Sequence, residues 1–225
     1  LHENVVSEVD MESRIGKVLA AFTAEAGSVL RRSLGVARCL LCRTLLGDDG
    51  PSLCSRCIAA LPYVHGTVCR RCGVPLVSEE GLCLRCRTVE YGFDSVRAAL
   101  LYRDVGAEIV RLYKLHDHPS LSRVLASAAA PLLAAHPPGV PLVPVPARPE
   151  RLRTFGWDQV DLLVGLLSSI DDRQVLRVLR RTDGQSQKSL NLRDRQENLV
   201  GRIHCAADGM PETCLLIDDV MTTGA

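Results

Sequence analysis

Residues 214–225, with the sequence Cys-Leu-Leu-Ile-Asp-Asp-Val-Met-Thr-Thr-Gly-Ala, indicate the fold class of this chain. The short apolar run from Cys214 to Ile217 is typical of a buried parallel strand. Two adjacent acids, Asp218 and Asp219, follow it directly. Open α/β sheets bind ligands at the carboxyl ends of their strands. We therefore expect an α/β fold with a ligand site at this edge of the sheet.

The turn that follows the acids has the chemistry of a phosphate site. Thr222, Thr223 and Gly224 offer hydroxyls and backbone N–H groups without bulk, as phosphate cradles at helix starts do. Carboxylates beside such a cradle indicate a ligand that also carries hydroxyls or a metal ion. A ribose 5-phosphate with a Mg-bound pyrophosphate carries both. The alternative is an ordinary strand that ends in a solvated Asp-Asp turn.

Composition limits the classes of protein that fit. A chain of 225 residues with 47% hydrophobic residues is long enough for one α/β domain and a small appendage. The net charge of +1 gives no strong field for nucleic acid or membrane. No apolar run approaches the length of a membrane span, and residues 1–10 do not resemble a signal peptide. We expect a cytoplasmic protein with no membrane partner. Because the helix expected after Gly224 is absent, either the sequence is truncated or the chain binds phosphate poorly.

Eight of the ten cysteines form four C-x-x-C pairs. Eleven, eleven and ten residues separate successive pairs. Each pair supplies two thiolates to a tetrahedral metal ion, so four pairs predict two structural zinc sites. The first pair joins either the second or, in a cross-braced arrangement, the third; redox disulfides are the alternative. The predicted ligands are Cys39, Cys42, Cys54, Cys57, Cys69, Cys72, Cys83 and Cys86. The two remaining cysteines, Cys205 and Cys214, are expected to be buried thiols.

The cysteine-rich segment is also mildly basic. Residues 38–90 carry seven arginines and five acids, which is a net charge of +2. This excess is compatible with weak contact to nucleic-acid phosphates. The alternative is a solvated surface, since two extra charges steer a ligand only weakly.

The hydrophobic patterns predict three regions: an N-terminal helix in residues 1–37, a double zinc ribbon in 38–90 and an α/β domain in 91–225. The N-terminal helix has an apolar stripe that packs on the protein itself or, alternatively, binds a partner or a membrane surface. In the α/β domain we expect helices over 105–115, 121–135 and 156–169. Strands are expected over 96–102, 141–146, 175–179, 203–207 and 214–217. Residues 185–189 are expected to form a loop or lid.

Basic residues follow one of these strands. Arg148, Arg151 and Arg153 come directly after the strand at 141–146, and guanidinium forks suit phosphate oxygens. They indicate either a pyrophosphate site or an exposed basic helix start. Trp157, the single tryptophan, either stacks on a ligand or, more commonly for this residue type, packs against the protein.

Taken together, these motifs resemble the ComF family of competence-associated proteins, in which a double zinc ribbon precedes a phosphoribosyltransferase-type domain. The resemblance extends from Cys39 to Ala225 and includes Lys114. It implies a type I phosphoribosyltransferase-like parallel sheet flanked by helices, and phosphoribosyl pyrophosphate (PRPP) as ligand. In such a site Asp218 and Asp219 hold the ribose, the turn 222–224 holds the 5-phosphate, and the arginines and Lys114 face the rest of PRPP. Further motifs of the resemblance are F-D-S-V-R-A-A-L-L-Y (93–102), V-P-V-P (143–146), G-W-D-Q (156–159) and the stretch from Gln187 to Asn198.

The resemblance implies two functions. The first is transfer of a phosphoribosyl group from PRPP and Mg²⁺ to an acceptor, with loss of pyrophosphate. The second is a non-catalytic PRPP or nucleotide sensor for DNA uptake, whose ribbons contact single-stranded DNA or a helicase. An aromatic content of 4% offers few stacking platforms for bases, which favours the first. Phe155 and Asp158 stand where the family usually has arginine and asparagine, and both changes disfavour a polyanion.

Overall fold

The computed structural model describes residues 37–46, 52–116, 118–182, 202–206 and 210–221. Several predicted features lie outside these residues. They are the N-terminal helix before residue 37, the loop 185–189, the stretch to Asn198 and the Thr222–Gly224 turn. In the part of the chain that is described, no helix is both long enough and apolar enough to cross a membrane.

The first and third C-x-x-C knuckles have the same backbone geometry. The N–H of Arg43 donates to the carbonyl of Cys39 at 2.9 Å, and that of Gly73 donates to Cys69 at 2.9 Å. The residue after each knuckle adopts a left-handed conformation, with φ of 62° at Arg43 and 72° at Gly73. Gly73 takes this conformation without steric cost because it has no Cβ. Arg43 holds the same conformation despite its Cβ, a strain of about 1 kcal/mol.

The described residues contain five α-helices and four short strands, which are numbered in chain order. The helices are α1 (Ser55–Ala59), α2 (Asp104–Leu115), α3 (Leu121–Leu133), α4 (Pro149–Phe155) and α5 (Gln159–Asp171). The strands are β1 (Leu142–Pro144), β2 (Leu179–Arg181), β3 (Ile203–Cys205) and β4 (Leu215–Ile217). A 3-10 turn covers Arg85–Arg87.

The helix predicted over 156–169 corresponds to α5, and the separate helix α4 precedes it and ends at a glycine. Pro149 begins α4 with the φ that a first helical residue needs, and Gly156, at φ 74°, ends it in the left-handed conformation. Asp158 then caps α5: its Oδ1 accepts the N–H groups of Val160 (2.8 Å) and Asp161 (3.1 Å). The C-terminus of α4 at Gly156 and the N-terminus of α5 at Asp158 therefore lie within three residues of each other.

A small parallel sheet lies beside these helices. β1 pairs with β4 in parallel, with Leu142 opposite Leu215 and Pro144 opposite Ile217. Val175 adds a parallel bridge at Leu142. β2 and β3 form a separate antiparallel pair. The observed class is therefore α/β with a small parallel sheet and a double ribbon before it.

Three local expectations are wrong. Residues 96–102 form no strand; this segment lies along the ribbon, where the N–H of Leu101 donates to Pro62 at 2.9 Å. β4 is not buried on both faces by the described residues, since Leu216 is 59% exposed. The two unpaired cysteines are not buried: Cys205 is exposed and Cys214 is half-buried.

The apolar core has three parts. The largest joins the first ribbon to α2, with Cys39 and Cys54 in one cluster with Ile109, Leu112 and Tyr113. A second cluster lies between α3, α5 and the parallel sheet. The second ribbon forms its own small cluster around Cys69 and Cys86. The inward residues of α2 therefore share their core with the first ribbon.

Candidate functional site

Two cysteine tetrads have the geometry of zinc sites. In each tetrad all four sulfurs lie within 4.8 Å of one another. The Sγ atoms of Cys42 and Cys54 are 3.6 Å apart, and those of Cys72 and Cys83 are 3.8 Å apart. A tetrahedral ion with Zn–S bonds of about 2.3 Å separates its sulfurs by about 3.8 Å. The first pair therefore joins the second and the third joins the fourth, and the cross-braced alternative is wrong.

The protonation chemistry of the thiols also fits a divalent cation. Hydrogen bonds with the hydroxyl and backbone of Thr44 lower the pKa of Cys42 to about 5. Desolvation and the neighbouring sulfurs raise the pKa of Cys57 and of Cys86 to about 12. Four sulfurs this close together do not all become thiolates without a cation, because their negative charges repel one another. A bound Zn²⁺ offsets these charges, so that all four sulfurs ionise. All four positions are protein ligands, so both sites are structural.

The carboxyl edge of the parallel sheet forms the second candidate site. Asp219, two residues after the end of β4, has a side chain only 6% exposed. Its Oδ2 lies 2.8 Å from Lys114 Nζ and accepts a hydrogen bond from Gln159 Nε2 at 3.2 Å. The hydroxyl of Tyr113 donates to the Gln159 carbonyl at 2.6 Å. The α2 C-terminus and the α5 N-terminus therefore hold this carboxylate in place.

Asp218 has a different environment from its neighbour. It is exposed, and its Oδ1 accepts the N–H of Asp219 at 2.8 Å. Nearby protein atoms still remove part of its hydration, and this desolvation, followed by the charge of Asp219, raises the pKa of Asp218 to about 6. Of the two predicted acids, Asp218 is the one that is available to a ligand.

The three predicted arginines also differ in their contacts. Arg148 precedes α4 and is exposed. Arg151 instead donates to Gln159 Oε1 and to the Lys114 carbonyl, and its guanidinium lies 4.4 Å from the Phe155 ring centroid. Its Nη2 is buried and has no hydrogen-bond partner among the described residues. Arg153 is exposed on α4. Arg151 is therefore part of the internal network around Asp219.

Comparison with known proteins gives two matches. Residues 34–87 match the family described as a double zinc ribbon domain. Over 223 residues the chain is 25% identical to a protein named competence protein ComFC from Bacillus subtilis (strain 168), covering 89% of this chain and 88% of that protein.

Both matches support the resemblance to the ComF family. The match to the curated relative covers both the ribbons and the α/β region, so the resemblance that the motifs indicated is confirmed. No solved structure matches this chain.

The two departures from the usual ComF pattern have structural roles here. Asp158 caps α5 and also accepts the N–H of Ala147 at 2.8 Å, so backbone donors surround its negative charge. Phe155 lies under the guanidinium of Arg151. Trp157 packs at 5.3 Å from Tyr113, which confirms its interpretation as a packing residue. The expected electrostatic penalty for a polyanionic ligand is thus reduced at Asp158, because backbone N–H groups donate hydrogen bonds to its carboxylate.

The sequence did not indicate three residues of this region. Gln159, within the G-W-D-Q motif, contacts Asp219 directly. Tyr113 donates its hydroxyl to the Gln159 carbonyl. Arg181, at the end of β2, reaches the Pro146 carbonyl at 3.3 Å. A polar residue at the first position of an apolar helix was the available signal for Gln159; nothing local indicated the position of Arg181.

Proposed function

We propose that this protein binds PRPP with Mg²⁺ at the carboxyl edge of β1 and β4 and transfers its phosphoribosyl group to an acceptor. One observation carries the proposal. Asp219, the second acid after β4, contacts Lys114 from α2 at the edge where Arg148 follows the parallel partner strand. A carboxylate pair suits the hydroxyls of a sugar, and nearby cations suit its phosphates. A phosphoribosyltransferase-type fold is part of the same proposal.

The proposed chemistry is displacement at the anomeric carbon. The bond between C1 of the ribose and the pyrophosphate oxygen breaks, and the pyrophosphate leaves with the electron pair. A lone pair of the acceptor forms the new bond to C1, and the acceptor releases its proton to solvent. Because positive charge develops on the ring, a nearby carboxylate stabilises the transition state. Asp218 is placed for that role, while Lys114 and Gln159 hold Asp219 in position.

Mg²⁺ fits this site only together with the ligand. Apart from the two cysteine tetrads, the described residues form no cluster of three or more metal-ligating side chains. Mg²⁺ binds through one or two carboxylates plus phosphate oxygens and water. Asp218 would be the protein ligand of the ion, which would supply positive charge beside the pyrophosphate.

Calorimetric titration with PRPP and Mg²⁺ tests the proposal. Asp218→Asn should weaken binding at least tenfold, since a charged hydrogen bond contributes roughly 1.5–3 kcal/mol. Asp161→Asn is the matched control, because Asp161 pairs with Arg177 on the far side of α5. Equal affinity of wild type and Asp218→Asn, or no binding by wild type, would exclude the proposal. Release of pyrophosphate in the presence of candidate nucleophiles then separates a transferase from a sensor.

A second candidate function, contact with single-stranded DNA, is favoured by one observation on the second ribbon. Tyr91 and Phe93 stack with centroids 4.8 Å apart, and the Arg85 guanidinium lies 5.9 Å from the Tyr91 ring. An aromatic pair beside a cation suits nucleobase stacking. Binding of an oligothymidylate should weaken in Phe93→Ala and fall with salt, whereas Arg177→Gln in the α/β region should leave it unchanged. Salt-independent or undetectable binding excludes this function.

A further inference from the structure

Tyr113 on α2 contacts both the first ribbon and the residues that hold the ligand edge of the sheet. Its ring is fully buried in the cluster that contains Cys39 and Cys54 of the first tetrad. Its hydroxyl donates to the carbonyl of Gln159 at 2.6 Å, and Nε2 of Gln159 donates to Asp219 Oδ2 at 3.2 Å. Two hydrogen bonds therefore lead from the core of the first ribbon to the buried carboxylate.

The contacts of Asp219 depend on the position of α2. Lys114, the next residue after Tyr113 on this helix, has its Nζ 2.8 Å from Asp219 Oδ2. Gln159 is only 5% exposed, and the surrounding packing leaves its side chain little room to adjust. A shift of α2 would therefore move Tyr113 and Lys114 together and change two contacts that reach the same carboxylate.

The two ribbons differ in their contact with α2. The core of the first ribbon includes Ile109, Leu112 and Tyr113 of this helix, whereas the second ribbon forms a cluster around Cys69 and Cys86 with partners from its own segment. A ribbon this short depends on its metal ion in place of a large apolar core. Loss of zinc from the first tetrad therefore removes packing from one side of α2, and loss from the second tetrad does not.

The indole of Trp157 lies where it can report this change. Trp157 is the single tryptophan of the chain, and its ring centroid is 5.3 Å from that of Tyr113. The Cζ atom of Arg151, which donates to the side chain of Gln159, lies 5.5 Å from the indole centroid. Fluorescence of one residue thus reports the packing of Tyr113 without any ligand.

We infer that Tyr113 is a positioning residue through which the zinc-bound first ribbon sets the position of Asp219. Zinc in the first tetrad, and not in the second, then controls the ligand edge of the sheet. The element with two arrangements is α2, which is either packed on the folded ribbon or released from it. The coupling follows from the contacts themselves, whereas its effect on PRPP rests on the proposed function.

Removal of zinc from the full chain with a chelator tests the coupling through the emission of Trp157. Cys69→Ser keeps only the first site, and its emission should change on chelation as much as that of wild type. Cys39→Ser should show the changed emission before chelator is added, and no further change when the second site loses zinc. Both cysteines are fully buried, so the two variants are matched.

Three results of the chelation experiment would overturn the inference. They are emission that follows the second site, emission that stays constant when both sites are empty, and global unfolding on loss of the first zinc alone. Far-UV circular dichroism detects the last of these. If Cys39→Ser does not fold, chelation of wild type and of Cys69→Ser still decides the question.

Tyr113→Phe tests the role of the hydroxyl. This variant keeps the ring in the core but loses the donor to Gln159. Zinc release should stay within twofold of wild type, whereas PRPP with Mg²⁺ should bind at least fivefold more weakly. Tyr102→Phe is the matched control, because Tyr102 is 59% exposed, and it should bind PRPP as wild type does.

Linkage gives a reciprocal test of the same coupling. Because coupling between two binding sites acts equally in both directions, PRPP should slow zinc release from the first site and not from the second. The slowing should be at least threefold in wild type and smaller in Tyr113→Phe. PRPP affinity that is unchanged in Tyr113→Phe contradicts the positioning role alone. No PRPP binding by wild type contradicts the proposed function alone, since Trp157 emission decides the coupling without a ligand.

Discussion

Lys114 Nζ lies 2.8 Å from Asp219 Oδ2, although the two residues are 105 positions apart in the chain. The carboxylate is almost fully buried, whereas the side chain of Lys114 is 40% exposed. This contact joins the end of α2 to the loop after β4. It also means that the ligand edge of the sheet depends on a helix whose other face packs against the first ribbon.

Removal of the lysine should destabilise the fold. Lys114→Met leaves Asp219 buried without its cation, and we expect a loss of about 2 kcal/mol in the free energy of unfolding. Urea denaturation followed by circular dichroism measures it. The double variant Lys114→Met/Asp219→Asn should lose less than the sum of the single changes, because the two groups interact. Strict additivity would show that the ion pair carries no coupling energy.

Asp218 should make stability depend on pH. Its folded-state pKa of about 6 is above the ordinary value of 3.8, so the folded state favours the protonated form. The resulting stabilisation is complete below about pH 4 and is lost as the pH rises through 6. We expect the melting temperature of Asp218→Asn, relative to wild type, to rise between pH 4 and pH 7. Asp161→Asn serves as the control, and an identical pH profile in wild type and Asp218→Asn would contradict the assignment.

Two glycines with the same conformation should respond differently to alanine. Gly66 and Gly73 have φ of 75° and 72°, so both changes carry the same left-handed strain of about 1 kcal/mol. A Cβ at Gly66 meets nothing within 4 Å, whereas at Gly73 it lies 2.7 Å from the Val96 carbonyl oxygen. Gly73→Ala should therefore lose zinc faster to a chelator than Gly66→Ala does. Equal rates of zinc loss would show that the clash relaxes freely.

Arg173 should be among the most sensitive positions for stability. Its side chain is 2% exposed and donates to carbonyls at the end of α3 and in the following loop, as well as to Asp171. Arg173→Met leaves several buried carbonyls unsatisfied, and we expect a loss of at least about 3 kcal/mol. Arg177→Gln, which breaks an exposed pair with Asp161, should cost less than about 1 kcal/mol. Thermal unfolding of both variants checks the difference, and similar losses would refute it. The accepting carbonyls are those of Leu133, His136, Pro137 and Val140.

The two zinc sites should differ in their influence on the ligand edge. Cys39 shares a cluster with Ile109 and Tyr113 of α2, whereas Cys69 belongs to the separate cluster of the second ribbon. Cys39→Ser should therefore speed amide hydrogen exchange in α2, and Cys69→Ser should not. Both cysteines are fully buried, so the comparison is matched. Equal exchange rates in α2 would show that the first ribbon does not support that helix.

Local patterns were sufficient for much of this protein. C-x-x-C spacing, an apolar run before two acids, and helix caps act within a few residues, and their geometry follows from the backbone. The helix boundary at Gly156 and the segment 96–102 were predicted less well. At Gly156 a left-handed cap ends α4. At Leu101 the backbone N–H bonds to the ribbon instead of to a neighbouring strand.

The sequence by itself determined the zinc ligands, the acids after β4 and the resemblance to the ComF family, because these depend on residue type and short spacing. Only the tertiary structure decided how the knuckles pair, which acid is exposed, and which arginines are available. Arg151 turned inward because Gln159 and the Lys114 carbonyl accept its donors, and Arg181 came to the end of β1 through its bond to Pro146. Such contacts join residues tens of positions apart, and no short pattern specifies them.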